Sequence, residues 1–313
     1  MNSIALPTDT YSLLVELVTK TIGHDVQLTS CEILNQHPDY YVLEVTLVQP
    51  SVKLAVKLAG PDAPYHYPFD RTAMFHRLVA EHTSIPMPEI LAVDVSYKHY
   101  PWRYLIKTYL PGEEWRLVKP QLTPSQQIDA YHQIGQAAAE LHSIQFNSFG
   151  EVSSSRQVTT RSDFPSALKS HILKIIKNPD YQDMLLALVN KHQSLFETVK
   201  QARLCHEDLH HRNILFGQQN GRWQLATILD FDKAWAGHHE IDLAKLEFWT
   251  DMMGDGFWQA YNQVIKLDDG YEMRRLIYQL LWCLDYRENT PKHLADTRLL
   301  CEQLGLSVIH QFM

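Results

Sequence analysis

The chain has 313 residues, 45% of them hydrophobic and 20% charged, enough apolar material for one domain or two closely packed lobes with a real core. Its formal net charge of -8 opposes a nonspecific grip on a phosphate backbone, so no nucleic-acid partner is expected. The longest apolar stretches, such as Leu276 to Leu284, are too short to span a bilayer, and no basic segment followed by an apolar run opens the chain; a cytoplasmic protein without a membrane partner is expected.

Taken in order, Thr8-Asp9-Thr10 offers N-caps to a helix over Tyr11–Val18 that Gly23 closes. Val26–Leu34, Tyr40–Val48 and Val52–Leu58 read as an antiparallel meander, with a loop at Asn35–Asp39 and a turn at Gln49-Pro50-Ser51. A helix over roughly Asp70–His82 ends at Ser84-Ile-Pro-Met-Pro88, since proline cannot continue it. Ile90–Val95 and Trp102–Thr108 are two further strands, the second running into Tyr109-Leu-Pro-Gly112. Thr123-Pro124-Ser125 opens a long core helix to about His142, and Asp163–Lys177 and Tyr181–Lys200 read as two more. A hairpin of Ile214–Phe216 and Trp223–Leu229 turns around Gly217–Gly221. The remainder is helical by periodicity, broken at Gly254, Gly256 and Gly270. Cys31, Cys205, Cys283 and Cys301 are scattered without Cys-x-x-Cys spacing, which predicts buried thiols rather than disulfides or a zinc knuckle.

The chemistry gathers at Leu204–Phe216, a polar loop pinned between apolar anchors, and at Ile228-Leu-Asp-Phe-Asp-Lys-Ala234. Asp208 can take a proton from a hydroxyl, Asn213 can offer a carbonyl oxygen to a hard cation, and Asp230 can add a carboxylate, which are parts of a phosphoryl-transfer site. His206-x-Asp208-Leu-x-x-x-Asn213, Leu229-Asp230-Phe231-Asp232-x-Ala234, Gly237 and Asp242-Leu243-Ala244 together resemble the aminoglycoside phosphotransferase and choline kinase superfamily, relatives of the protein kinases.

That resemblance implies a two-lobe α/β (α+β) fold: a nucleotide-binding lobe over 1–108 with a small antiparallel sheet, and a mainly helical catalytic and acceptor-binding lobe over 109–313. The implied activity is ATP-dependent (or GTP-dependent) transfer of the γ-phosphoryl to an alcohol group of a small molecule. Asp208 is the implied base, Asn213 and Asp230 the Mg²⁺ ligands with Asp232 in support, and Lys57 the lysine that grips the α and β phosphates. The Thr108 carbonyl and Leu110 amide are the implied adenine contacts, while His206 and Asp242 brace the catalytic loop and His142 is structural. Two positions depart from the family pattern: Thr72 stands where relatives carry the glutamate that pairs with the lysine, and the loop at Asn35–Asp39 has no glycine to approach phosphates.

Between Asp230 and Glu272 ten carboxylates stand against Lys233, Lys245 and Lys266, a balance of -7. In relatives this part borders the acceptor site, so Asp251 and Asp255 are candidates to attract an amine-bearing acceptor, such as an aminoglycoside-like antibiotic or amino alcohol. Two rival readings use the same residues. A metallohydrolase would draw ligands from His206, Asp208, His210, His211 and His238-His239-Glu240, and a degenerate kinase fold would bind without turnover.

Overall fold

The computed structural model describes residues 8–23, 26–66, 68–159, 163–248 and 251–312. Helix α1 (Thr8–Ile22) precedes strands β1 (Gln27–His37), β2 (Tyr40–Gln49) and β3 (Val52–Ala59); helix α2 (Phe69–His82) follows, then β4 (Ile90–Asp94) and β5 (Arg103–Thr108). The strands form one antiparallel sheet in the order β1-β2-β3-β5-β4. Alternation along the strands puts Leu43, Val45, Leu54, Val56, Leu58 and Ile106 on one face, where Leu14, Leu17 and Val18 of α1 seal them. Burying each such leucine contributes about 1.5–3 kcal/mol. The opposite face carries Tyr40, Ala59 and Leu105 and packs on Phe69 and Ala73 of α2. A second stripe of α2, with Met74, Phe75, Leu78 and Val79, enters the larger core, so α2 ties sheet and helices together.

That larger core belongs to the rest of the chain. Strand β6 (Glu113–Glu114) and helix α3 (Trp115–Val118) lead to α4 (Pro124–Ser143), then β7 (Gln145–Phe146), α5 (Phe164–Ile175), α6 (Pro179–Lys191) and α7 (Gln193–Glu197). Next come β8 (Ala202–Cys205), β9 (Ile214–Gln219), β10 (Arg222–Ile228) and β11 (Trp235–Gly237). Helices α8 (Glu240–Phe248), α9 (Phe257–Val264), α10 (Tyr271–Tyr286) and α11 (Pro291–Gln303) complete the fold. The short strands make two small sheets, β10-β9-β6 and β11-β8-β7. Thr123 and Gln126 cap α4 reciprocally, with Pro124 in its first turn. Gly135 lets α4 approach α9, because a Cβ there would lie 2.3 Å from the Phe257 carbonyl oxygen.

The expected mixed fold, with its antiparallel meander and helical remainder, is present, and the differences are local. β1 runs on to His37, pairing Asn35 with Val42 and Gln36 with Tyr41, so the expected loop at Asn35–Asp39 shrinks to a turn at Pro38-Asp39. The expected helix over Tyr181–Lys200 is two, interrupted at His192, whose backbone (φ -110, ψ 25) leaves the helical region. The β9–β10 turn is only Asn220-Gly221, both with positive φ, the pair that suits the twist of a two-residue hairpin. Cys205, Cys283 and Cys301 are buried thiols as expected, whereas Cys31 is half-buried on β1. Among the described residues no helix is long and apolar enough to cross a membrane.

Candidate active site

The polar loop after β8 is held from below by Asp242, the third residue of α8. Its carboxylate accepts the amides of His206 (2.6 Å) and Glu207 (2.7 Å) and stands 3.1 Å from His142 Nε2. Burial opposes that charge, but His142 and the amides hold the Asp242 carboxyl below the ordinary carboxylate range. Tyr261 hydroxyl meets His142 Nδ1 at 2.8 Å, so His142 is a strut, as expected. His206 Nδ1 accepts the Asp208 amide, which leaves Nε2 to donate to the Leu229 carbonyl at 2.8 Å. Burial keeps this ring neutral by lowering its pKa, and Phe231 packs on its face. His206 therefore pins the polar loop to the strand end that carries Asp230.

Asn213 Nδ2 donates to the Asp208 carbonyl (2.8 Å), which orients the amide and leaves Oδ1 as its acceptor. Asp208 Oδ1 receives Lys245 Nζ at 2.9 Å, with Lys233 Nζ at 3.5 Å. Burial disfavours the Asp208 charge, yet Lys245 foremost, with His210 and Lys233, holds the carboxyl far below its usual range. Asp230 sits in left-handed backbone (φ 68, ψ 64), which costs a non-glycine residue roughly 1–2 kcal/mol. Lys57 Nζ lies 3.1 Å from Asp230 Oδ1 and 3.5 Å from Asp232 Oδ2. Burial works against all three charges: the two carboxylates outweigh it for Lys57, whose pKa rises, and Lys57 outweighs it for Asp230, held at about 2. Asp232 moves the other way, raised by burial and by Asp230.

The five residues Lys57, Asp208, Asn213, Asp230 and Asp232, from three separate segments, thus belong to one connected site. Thr72 gives Lys57 no partner; its hydroxyl donates to Asp232 Oδ1 instead, and Arg71 donates to the Asp232 carbonyl at 2.7 Å. Lys57 is instead paired with Asp230 and Asp232. A glutamate at 72 would face the Asp232 carboxylate, not a free cation. Thr108 ends β5, and Leu110 lies in the segment 109–112 that crosses from the large sheet to β6.

Lys245, which holds Asp208, also walls a cavity of about 280 Å³ together with Phe248, Asp251, Trp282, Tyr286 and Glu288. Asp251 is among its wall residues, whereas Asp255 is not. The acidic stretch is less free than its count suggests. Arg274 binds both oxygens of Glu240 (2.7 Å each) and reaches Asp268, while Arg275 pairs with Glu247 and Glu272. These arginines stand just beyond the counted window, so much of the charge is internally spent. Within the described residues, His238, His239 and Glu240 are the one group of donors close enough to share an ion, but Arg274 already holds Glu240. His206 and Asp208 are not part of it, and the metallohydrolase constellation is not assembled.

Two functional candidates escape a reading of motifs. Lys245 lies three residues after Asp242 on the same face of α8, a spacing that could have flagged it. Lys107 interrupts the otherwise apolar end of β5; register places it beside Ala55 on the same sheet face as Lys57. Among the described residues its ammonium has no hydrogen-bond or ion-pair partner, and burial first, then Lys57, lowers its pKa to about 8.

The family model described as phosphotransferase enzyme family matches residues 40–277. Among solved structures, ethanolamine kinase from Plasmodium vivax is 14% identical, with 96% of this chain and 91% of that chain covered and a TM-score of 0.60. A thermostable mutant of aminoglycoside phosphotransferase APH(4)-Ia, in ternary complex with ADP and hygromycin B, is 16% identical, covering 93% and 96%, with a TM-score of 0.60. Aminoglycoside phosphotransferase APH(2'')-Ib, ADP-bound, is 18% identical, covering 96% and 100%, with a TM-score of 0.57. No curated protein matches the sequence. The fold is accordingly the two-lobe, protein-kinase-like one.

Proposed function

Since the chain belongs to the phosphotransferase enzyme family, we propose that it transfers the γ-phosphoryl group of ATP or GTP to a hydroxyl of a small, amine-bearing acceptor. The observation that carries this reading is that Asp208 is held by Lys245, itself a wall residue of the aromatic cavity, while Lys57, Asp230 and Asp232 form an ion-pair cluster. Asp208 orients the acceptor hydroxyl and takes its proton; being held strongly ionised, it acts late, as a loose transition state allows. Asn213 Oδ1 and the Asp230 carboxylate, with Asp232 beside them, are hard oxygen donors of the kind Mg²⁺ selects. Mg²⁺ bound there would neutralise charge on the β and γ phosphates. Lys57 fixes the phosphates, and the Thr108–Leu110 backbone receives the base.

The test is acceptor-dependent release of nucleoside diphosphate from MgATP and MgGTP across amino alcohols, aminoglycosides, sugars and amino acids. An amine-bearing compound should give the highest kcat/KM. Nucleotide binding with no turnover of any acceptor would favour the degenerate-module reading instead.

The acceptor's amine is assigned to Asp251 and Glu288, away from the Trp282 ring that the Lys245 ammonium already covers at 3.8 Å. Replacing both carboxylates by their amides should raise the acceptor KM about tenfold, more at low salt, and leave the nucleotide KM within twofold. Unchanged acceptor KM, or a preference for anionic acceptors, would remove this assignment.

Lys107 predicts a pH effect on the nucleotide side. Its ammonium is charged below about pH 8 and neutral above, so attraction for the phosphates is full below that pH and lost as pH rises through it. Nucleotide affinity should fall up to about tenfold per pH unit above 8 until the bound-state pKa is passed. In Lys107→Met calorimetric affinities should be flat over that range; a wild-type affinity independent of pH from 7 to 9.5 would show that Lys107 does not sense the nucleotide.

A further inference from the structure

Lys245 is the most buried cation of the site, 1% exposed, and the motifs that define the transfer chemistry do not include it. Its ammonium donates to the Glu207 carbonyl (2.8 Å) and to Asp208 Oδ1 (2.9 Å), and stands 3.8 Å from the centre of the Trp282 ring and 5.6 Å from that of Tyr286. An ammonium stripped of water is tolerable only where such partners surround it, and once surrounded it has little freedom to move. Lys233 approaches the same carboxylate oxygen but is half-exposed and farther away, so solvent screens it. Among the described residues, the basic group facing Oδ2 of Asp208 is His210, 3.8 Å away. Lys245 and Trp282 are at the buried end of the cavity; toward its exposed end Glu288 is exposed, Asp251 is half-buried, and Lys292 is paired with Asp296.

We propose that Lys245 is a positioning residue of the transfer step. It clamps Oδ1 of Asp208 so that Oδ2 alone meets the acceptor hydroxyl, and its fixed charge at the inner end of the cavity turns the acceptor's ammonium outward, toward Asp251 and Glu288. In the step it serves, the acceptor oxygen bonds to the γ phosphorus and the bond from that phosphorus to the bridging oxygen breaks. The nucleoside diphosphate leaves with the electron pair, and the hydroxyl proton passes to Oδ2. The inference rests on the reading of Asp208 as the acceptor-side carboxylate. The charged and titratable groups facing that carboxylate are Lys245 from α8, Lys233 from the turn after Asp230, His206 and His210 from its own loop, Asp230 across the site and Tyr286 from α10; Glu207 and Asp285 face the lysines.

The experiment compares Lys245→Met, which keeps the apolar stem against Trp282, with Lys245→Arg, which keeps the charge. Lys245→Gln, which retains a donor without charge, replaces the methionine variant if that one does not fold. The probes are MgATP with ethanolamine and MgATP with water alone, followed from pH 4.5 to 8. Loss of the charge should lower kcat by ~10–100-fold, on the scale of a misplaced general base, with the ethanolamine KM unchanged or lower. An acid limb should appear between about pH 4 and 6, since a buried aspartate without its main cation titrates above its ordinary value of about 3.9. Lys245→Arg should recover at least about a third of the rate and the wild-type profile. Wild-type kcat with an unshifted profile in the uncharged variant overturns the proposal, and so do equal losses in the arginine and uncharged variants, which would mark a packing effect. Failure of the underlying reading looks different: Asp208→Asn would then turn over like wild type. If the wild-type protein turns over neither probe, a double-mutant cycle of Lys245→Met and Asp208→Asn, read by thermal melts at pH 7, decides: strongly non-additive shifts are expected for the clamp, and additive shifts overturn the proposal.

Discussion

Replacing Asp208 with asparagine is expected to lower the transfer rate by ~10²–10⁴-fold, the usual contribution of a positioned base, while nucleotide affinity stays within a few-fold of wild type. The substitution keeps the shape of the side chain and leaves the surrounding struts intact, because His206 and Asn213 engage the Asp208 backbone and not its carboxylate. It removes the partner of a buried ammonium, however. The Lys245 pair would be left with a neutral acceptor, at a cost of about 1–3 kcal/mol in stability. The pH dependence of that stability has a definite sign. A carboxyl held far below its unfolded value contributes stability that is fully present above about pH 4 and is lost as pH falls from there toward the depressed folded value. Wild type should therefore lose stability on acidification more steeply than Asp208→Asn, a difference that thermal melts from pH 3 to 7 would read. Retention of more than about a tenth of the wild-type rate would show that another group handles the acceptor proton.

Local patterns carried much of this site, because the residues involved are close in sequence to strong structural punctuation. Asp208 and Asn213 lie in a polar loop between apolar anchors, Asp230 ends an apolar strand, and Asp242 opens a helix; alternation and capping are short-range effects that a sequence displays. What stayed hidden depends on contacts between distant segments. Thr72 looks like a lost ion pair in sequence, and only the fold brings Asp230 and Asp232 to Lys57 from more than 170 residues away. The charge count over 230–272 suggests an open acidic surface, but Arg274 and Arg275, about one turn into α10, neutralise four of its members. Lys107 is unreadable for the same reason, and Lys245 shows only its helical spacing from Asp242. A lysine in a strand or helix is most often a solvated one, and burial of its ammonium is decided by what packs over it.

A substitution at Asp230 should separate the metal from the phosphates by the sign of its effect. Asparagine is the informative replacement, since it tolerates the left-handed backbone that alanine would strain, and it removes only the charge. With Mg²⁺ present, loss of a carboxylate ligand should weaken ATP binding at least about tenfold, roughly 1.4 kcal/mol. Without Mg²⁺ the same change removes a negative charge that repels the phosphates and frees Lys57, 3.1 Å from Asp230 Oδ1, to engage them; affinity should then hold or improve. Lys57→Met is the control, because a phosphate contact that does not act through metal should weaken binding in both conditions. Calorimetric titrations of the two variants, each with Mg²⁺ and with chelator, give four affinities, and the proposal requires the ratio between conditions to collapse for Asp230→Asn alone. Equal losses with and without Mg²⁺ would reduce Asp230 to the lysine's ion-pair partner and assign the metal to Asp232 and Asn213. That outcome would also give Thr72 a different weight, since its hydroxyl donates to Asp232 and would then orient the principal metal ligand.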